Sequence, residues 1–514
     1  MSMRLMKETI QLEHQTGVGH ARANVEGGIT LPGGLRETAH VLAQGASVFI
    51  ERVEAMQDRA GISGRVTFHA LYTQGAPDKI QAMEASADFS HVMELPGATA
   101  QSTCLVMAEV ERVEAATSGG QMTLKAVVEL DGRSLNSQSV EAVTGIADVN
   151  GLQIDTTELN VRRMVASGKE EVMLREEFDL PADLQVRETL FATALPEVRE
   201  VTGGAGRAGV SGLVRLEVYH ASERPEQPLV VTRHTIPFEQ GVDLIGEPGE
   251  TLSADVVLKD VAAASQGGTD EERTLRCEAV LGISVHADRT EKLTVLRDAY
   301  TVTGDDLTLS NTAIAYRADE STLHAAESGK LQLMLPEGIA PIRSVLCAYV
   351  SPKMTSQHQN GARFTAEGSM AVTLICMPAE GDAPLALNLI EPFSQTFAAQ
   401  PGEEDALQLR VTDVDAMAIT GDRVELRYVV HLDADGSRSA STTIVTDAAQ
   451  KQAAPSDGCI VLYFVQPGET LWDIAKRYRV SEEEIHHLNP ELGQEVQPGQ
   501  GIVVWHRCTE ELCK

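Results

Sequence analysis

The chain repeats itself three times, and this repetition constrains its fold more than any other feature of the sequence. Residues 10–32 (IQLEHQTGVGHARANVEGGITLP) align without a gap on residues 159–181 (LNVRRMVASGKEEVMLREEFDLP), and a third Leu-Pro pair follows at 335–336. About 31 or 32 residues after each of these prolines, a glycine opens an apolar segment. Because a period of about 150 residues is too long for a solenoid unit, the pattern predicts tandem domains.

Each copy is predicted to consist of β-strands. The segments that follow Gly64, Gly212 and Gly368 (RVTFHALY, LVRLEVYH and SMAVTLICM) alternate apolar and polar residues. A period of two is typical of a strand with one buried face. A phenylalanine-containing stretch, a Pro-Gly turn and two more apolar strands follow in every copy. We therefore predict a mainly β protein with three β-sandwich-like repeats, and short helical pieces near residues 34–44 and 184–193.

The last part of the chain is predicted to be a separate βααβ module. Residues 460–465 form a β-branched and aromatic run of strand length. Thr470 is placed to cap a first helix, and Ser481 with Glu484 forms the S-x-x-E capping box of a second helix. Residues 502–505 supply the closing strand.

These patterns predict the domain limits. The segment between the third repeat and the module is polar and alanine-rich and contains a proline, as linkers do. The predicted parts are three repeats at 1–152, 153–305 and 306–447, a linker at 448–458, the module at 459–507 and a tail at 508–514.

The net charge and the cysteine pattern indicate which partners and which cellular compartment to expect. The formal net charge of −33 would repel phosphate backbones, so nucleic acid is an unexpected partner. The seven cysteines are scattered without a CxxC pair, which fits a reducing compartment. The N-terminus lacks an apolar core of signal-peptide length and no stretch is long enough to span a membrane, so we expect a cytoplasmic protein. Cys508 and Cys513 could cross-link chains or stay reduced.

The sequence shows no catalytic or metal-binding constellation. It has no HExxH, no zinc-spaced Cys/His cluster and no GxxxxGK[ST] loop. We therefore predict no enzymatic activity, no cofactor and no metal site.

The sequence of the C-terminal module (YFVQPGETLWDIAKRYRVSEEEIHHLNPELGQEVQPGQGIVV) resembles that of the LysM family. This resemblance implies a shallow groove for N-acetylglucosamine-containing glycans, between the first strand–helix loop and the second helix–strand loop. Many relatives have Asp where this chain has Glu469, so sugar binding stays open, and caps and turns alone would also account for these residues. The candidate ligand- or partner-binding residues are Gly468, Glu469, Thr470, Leu471, Trp472, Asn489, Pro490, Leu492 and Pro498.

The first repeat resembles the spore-coat structural (SPOCS) domain family. The resemblance lies in KETIQLEHQTGVGHARANVEGGITLP, in GISGRVTFHALY and in the segment from Phe89 to Gly97. Three such units followed by one LysM form the architecture of SipL-like spore coat morphogenetic proteins. Residues 32–38 (PGGLRET) depart from the family's Pro-Asp-x-Lys-Pro-Asp-Ile pattern, which leaves the role of that stretch open here.

The resemblance implies a non-enzymatic scaffold of the mother-cell cytoplasm that gathers on the forespore surface and in the spore coat. Its LysM would dock onto the coat-basement ATPase, stage IV protein A, and its other partners would be coat proteins. The alternative is a protein that binds peptidoglycan, or a chitin-like glycan, and anchors at the cell wall or cortex. A hydrolase with a LysM targeting module is a third class, disfavoured by the missing catalytic residues.

Overall fold

The computed structural model describes residues 3–30, 40–74, 76–118, 121–204, 206–267, 273–302, 305–402, 406–452, 458–493 and 495–507. Most of these residues are β-strand, and the two α-helices described lie in the C-terminal module. The predictions of a mainly β fold and of a βααβ module are confirmed. None of the helices described is long and apolar enough to cross a membrane.

The first repeat is a sandwich of two three-stranded antiparallel sheets. Its strands are β1 (Arg4–Thr30), β2 (His40–Met56), β3 (Arg59–Gln74), β4 (Ala76–Glu94), β5 (Thr103–Ser118) and β6 (Gln121–Ala147). One sheet has the order β1-β6-β5 and the other the order β2-β3-β4. Alternate residues of the central strands, such as Phe68 on β3 and Leu124 on β6, are fully buried between the sheets. The apolar residues of the alternating pattern in the sequence are therefore the ones that face inward from each sheet.

The second and third repeats have the same arrangement, except that a two-residue strand adds a fourth strand to one sheet of the second repeat. The second contains β7 (Leu152–Leu180), a 3₁₀ turn (Ala182–Leu184), β8 (Val186–Gly204), β9 (Arg207–Ser222), β10 (Leu229–Asp243), β11 (Ile245–Gly246), β12 (Thr251–Gln266) and β13 (Arg273–Thr301). The third contains β14 (Asp305–Met334), β15 (Ile342–Asn360), β16 (Arg363–Pro378), β17 (Leu385–Phe397), β18 (Ala406–Thr420) and β19 (Arg423–Gln452). Their sheets have the orders β11-β7-β13-β12 and β10-β9-β8, then β14-β19-β18 and β15-β16-β17.

The predicted helical pieces are wrong. Apart from the end of the 3₁₀ turn at Leu184, no described residue of these two segments is helical. Residues 40–44 belong to β2 and residues 186–193 to β8, while residues 34–39 lie outside the described part of the chain. Both strands carry β-bulges here, between Val41 and Ala43 and between Thr189 and Phe191. Each bulge inserts one extra residue and interrupts the period of two, so the apolar spacing imitates that of a helix.

The glycine that marks each copy lies opposite a buried phenylalanine on the neighbouring strand. The cross-strand pairs are Gly64 with Phe89, Gly212 with Phe238, and Gly368 with Phe393. A Cβ atom on Gly64 would lie 2.3 Å from the carbonyl oxygen of Phe49 and 2.9 Å from the Phe89 ring. Since no side chain fits there, the repeated glycine is a requirement of close strand packing.

The three repeats do not stand in a row but close around a shared centre. The first halves of β1, β7 and β14 meet there, and their equivalent residues Ile10, Leu159 and Ile314 belong to one buried cluster. A second shared cluster brings together Leu71 of β3, Tyr219 of β9 and Ile375 of β16. These three are again equivalent positions, each seven residues after the marker glycine. The repeats therefore form a pseudo-threefold ring, which the sequence did not predict.

Buried charges join the repeats at this centre. Arg317 of β14 contacts Glu13 of β1 (Nη1 to Oε2, 3.2 Å) and Asp288 of β13 (Nη2 to Oδ1, 2.6 Å). Arg162 of β7 pairs with the other oxygen of Asp288 at 3.0 Å. All four residues are at most 9% exposed. Glu13, Arg162 and Arg317 occupy equivalent positions of the three repeats, and we call these four residues the central ion network.

The outer contacts between repeats also follow the threefold pattern. In each repeat the β-bulge of β5, β12 or β18 reaches the second sheet of a neighbouring repeat. The three contacts are an ion pair of Glu111 with Lys353, the ammonium of Lys259 at 5.1 Å from the Phe49 ring, and an ion pair of Asp413 with Arg215 at 3.2 Å.

The C-terminal module consists of β20 (Gly458–Phe464), α1 (Leu471–Tyr478), α2 (Glu482–Leu488) and β21 (Gly501–Arg507). The two strands pair antiparallel and the helices pack on one face of this hairpin. The predicted linker at 448–458 begins inside β19, which continues to Gln452 because it pairs with the start of β14. Residues 453–457 lie outside the described part of the chain.

Candidate functional site

Both predicted helix caps of the C-terminal module are present. The Thr470 hydroxyl accepts a hydrogen bond from the Asp473 amide (3.2 Å), and the Asp473 carboxylate accepts one from the Thr470 amide (2.9 Å). Ser481 and Glu484 exchange the same pair of bonds at 3.1 and 3.0 Å. These boxes satisfy backbone N–H groups that a helix N-terminus leaves unpaired. The side-chain oxygen of Thr470 is therefore engaged in the fold.

Glu469 is held by a local network. Its carboxylate accepts hydrogen bonds from the Tyr463 phenol (2.6 Å) and the Gln466 amide (2.9 Å), and it forms an ion pair with Arg477 at 2.6 Å. The Tyr463 hydrogen bond is the largest cause that lowers the pKa of Glu469. Glu469 thus fixes the loop before α1, and both of its oxygens have partners within the module.

Asn489 ties the second helix to the closing strand. Its side-chain amide donates to the carbonyls of Ile485 and Val503, each at 2.7 Å, and its side-chain oxygen accepts from the Val503 amide at 2.8 Å. Asn489 therefore has a structural role at the base of the predicted groove.

The structure brings the two predicted groove loops together at their bases. The Gly499 amide donates to the Val465 carbonyl (2.8 Å), and the Val465 amide donates to the Gln500 carbonyl (3.0 Å). Gly468, Pro490 and Pro498 are exposed and Leu492 is half-buried, whereas Leu471 is part of the module's core. The groove thus offers prolines, glycine and backbone groups, while the side-chain polar atoms of Glu469, Thr470 and Asn489 already have partners in the fold.

Trp472 does not line an open groove. Its indole N–H donates to Asp298 of β13 at 2.9 Å, and its ring contacts Tyr300 edge-on. This candidate residue therefore lies between the module and the second repeat.

An exposed apolar surface lies on the outer side of the module's hairpin. Ile460, Leu462 and Phe464 alternate along β20 and are 65%, 60% and 55% exposed, and Trp505 on β21, paired with Ile460, is 45% exposed. We call these four residues the apolar hairpin face. Sequence reasoning missed it, although the unbroken apolar run at 460–465 carried the signal. Because the helices cover only one side of a two-stranded hairpin, half of that run is left uncovered.

Cysteines and possible metal ligands form no further site in the described part of the chain. Cys104, Cys277, Cys347 and Cys376 are free thiols, and no three His, Cys, Asp or Glu side chains are grouped to hold a metal there. Cys508, Cys513 and the divergent stretch at residues 32–38 lie outside the described residues.

Comparison with known families places two segments of the chain. Residues 39–118, which include β2 to β5, match the SipL SPOCS domain. Residues 463–505, which include both helices of the module, match the LysM domain. No curated protein matches the chain, and no solved structure matches it. These two domains associate the chain with sporulation, the spore coat and LysM-type peptidoglycan binding. The chain is a SipL-like protein that joins a SPOCS domain in its first repeat to a C-terminal LysM domain.

Proposed function

We propose that the chain is a non-enzymatic scaffold that helps to assemble or localise the spore coat, and that its LysM domain docks onto the coat-basement ATPase, stage IV protein A. The observation that carries the docking proposal is the apolar hairpin face. An apolar cluster that includes two exposed aromatic side chains is characteristic of protein-binding surfaces. The SPOCS domain supplies the link to the coat.

The groove supports glycan binding less well. A sugar site orients its ligand with a few unengaged polar groups, which side chains or the backbone supply. Here Glu469, Thr470 and Asn489 bond to the module itself. Peptidoglycan or N-acetylglucosamine binding at the cell wall or cortex is the second candidate function, because the domain belongs to a family with that capability.

The repeats support a scaffold role by their construction. The central ion network and the two shared clusters join all three repeats. Such a unit holds its outer surfaces in fixed relative positions, as a scaffold for coat proteins requires. We place its site of action on the forespore surface, in the mother-cell cytoplasm.

A charge at the centre of the apolar hairpin face tests the proposal. Leu462→Lys should abolish co-purification with the stage IV ATPase, because binding would bury an unpaired ammonium group. Ile245→Lys is the matched control, since Ile245 is 85% exposed on β11, in the second repeat.

Sedimentation with purified cortex peptidoglycan separates the two candidate functions. Retained ATPase binding by Leu462→Lys would refute docking through this face. Sedimentation of the wild-type chain with peptidoglycan, without any ATPase binding, would favour the glycan function.

A further inference from the structure

The side of the LysM domain that carries Trp472 packs against the end of β13. The indole N–H of Trp472 donates to Asp298 Oδ2 at 2.9 Å, and the Trp472 and Tyr300 ring centroids are 4.9 Å apart in an edge-on arrangement. Lys476, one turn further along α1, donates to both oxygens of Asp298 at 2.6 and 2.7 Å. The Tyr300 phenol donates to the Val480 carbonyl at 2.8 Å.

The LysM side of this contact is basic and the repeat side is acidic. Beyond Lys476, Arg479 forms an ion pair with Asp306 at the start of β14. We call Trp472, Lys476 and Arg479 the Trp472 face. The contact therefore combines charge-assisted hydrogen bonds with the packing of the Trp472 and Tyr300 rings. Charge-assisted hydrogen bonds are stronger than bonds between neutral groups.

The contact uses residues that distinguish the second repeat from the other two. All three repeats carry a β-bulge near the end of their last long strand. Three positions after the bulged residue, the second repeat has Tyr300, whereas the first and third have Ala147 and Ala449. Tyr300 is only 5% exposed and belongs to the core cluster of the LysM domain. Of the three equivalent positions, the one that contacts the LysM domain carries an aromatic residue, and the other two carry alanine. This difference argues that the end of β13 is a specific docking site for the LysM domain.

We propose that the end of β13 is an internal ligand of the LysM domain, which holds the Trp472 face closed until a partner protein competes for it. This inference rests on the proposed function: the stage IV ATPase would contact the apolar hairpin face and, once the end of β13 is displaced, the Trp472 face of the same domain. The internal ligand also defines the kind of partner: a segment with a carboxylate two residues before an aromatic side chain, as in Asp298 and Tyr300.

Closure of the Trp472 face reduces the apparent affinity for the partner. When only a fraction of the molecules is open, the apparent dissociation constant rises by the inverse of that fraction. Loss of the internal ligand should therefore tighten partner binding, whereas loss of a partner contact would weaken it. The direction of the effect separates the two roles.

The chain offers a specific optical reporter of this contact. It contains two tryptophans, so Trp505→Phe leaves Trp472 as the sole indole. In the full-length Trp505→Phe background, Asp298→Asn removes the carboxylate from the repeat side, and Lys476→Glu breaks the same contact from the LysM side. Both should raise acrylamide quenching of Trp472. The matched control is Asp447→Asn, since Asp447 occupies the equivalent position after the bulge of β19 and bonds to Lys7 instead.

Partner affinity is measured in full-length chains that retain Trp505. Asp298→Asn should bind the stage IV ATPase about tenfold more tightly than the wild type, since the lost bonds involve a charged group. Quenching that stays at the level of the Trp505→Phe parent in both variants would overturn the inference, as would unchanged or weaker ATPase binding by Asp298→Asn. If neither chain binds the ATPase, the proposed function and the competition fail together, and quenching still decides whether the contact exists.

Discussion

Removal of Arg317 should destabilise all three repeats together. Arg317 is 2% exposed and pairs with Glu13 at 3.2 Å and with Asp288 at 2.6 Å. In Arg317→Met, Asp288 keeps Arg162 at 3.0 Å, whereas the Glu13 carboxylate loses its ion pair and keeps the hydrogen bond from the Met164 amide at 3.1 Å. A buried charge that loses its partner costs about 3–5 kcal/mol, so we expect the free energy of unfolding to fall by that amount.

A second substitution separates the orphaned charge from the loss of packing. Glu13→Gln in the Arg317→Met background removes the unpaired carboxylate, and we expect it to recover most of the lost stability, because neutral replacements of buried ion pairs are often tolerated. Urea unfolding followed by far-ultraviolet circular dichroism measures both effects. Because the network joins β1, β13 and β14, the whole transition should shift.

The control is Arg52→Met, which removes an exposed ion pair with Glu54 at 3.0 Å. Its effect should be below about 1 kcal/mol. The reasoning is refuted if Arg317→Met costs no more than this control, or if only part of the unfolding transition shifts. A double variant less stable than Arg317→Met alone would show that the Glu13 carboxylate is not left unpaired.

Two further predictions concern single side chains. Asn489→Ala should lower the stability of the LysM domain by roughly 2–3 kcal/mol, because it leaves the Val503 amide and carbonyl without their side-chain partner. Thermal melting followed by tryptophan fluorescence measures this change, and an unchanged melt would contradict the prediction. Burial lowers the pKa of His220 from 6.5 to about 4, so its contribution to stability is complete above pH 6.5 and is lost as the pH falls toward 4. His220→Asn should flatten the fall in unfolding free energy between those pH values in urea titrations, and an equally steep fall would contradict the prediction.

The sequence predicted the local structure well in segments where a single residue spacing, such as the alternation of a strand or the three-residue spacing of a helix cap, holds without interruption. The alternation in RVTFHALY predicts that Val66, Phe68 and Ala70 share the buried face of one strand, and all three are fully buried. The caps at Thr470 and Ser481 were predicted and are present, because capping depends on residues only three positions apart. The helices expected near residues 34–44 and 184–193 are wrong at residues 40–44 and 186–193, where bulges interrupt the alternation of β2 and β8.

Contacts between distant parts of the chain could not be predicted in the same way. Glu13, Arg162 and Arg317 share a position in the repeat alignment, but only the closed ring brings them together. Trp472 was proposed as a partner contact, and its site is occupied here by Asp298, which is 174 residues away in the sequence. A period in the sequence identifies equivalent residues and does not specify whether the copies stand in a row or close into a ring.

Imaging in a sporulating cell tests most directly the claim that the LysM domain localises a coat scaffold through its apolar hairpin face. A fluorescent fusion of the wild-type chain should form a ring around the forespore, whereas Leu462→Lys should remain diffuse in the mother cell at equal abundance. The exposed control variant Ile245→Lys should form the same ring as the wild type. A forespore ring formed by Leu462→Lys, or a wild-type signal confined to the cell wall, would contradict the account.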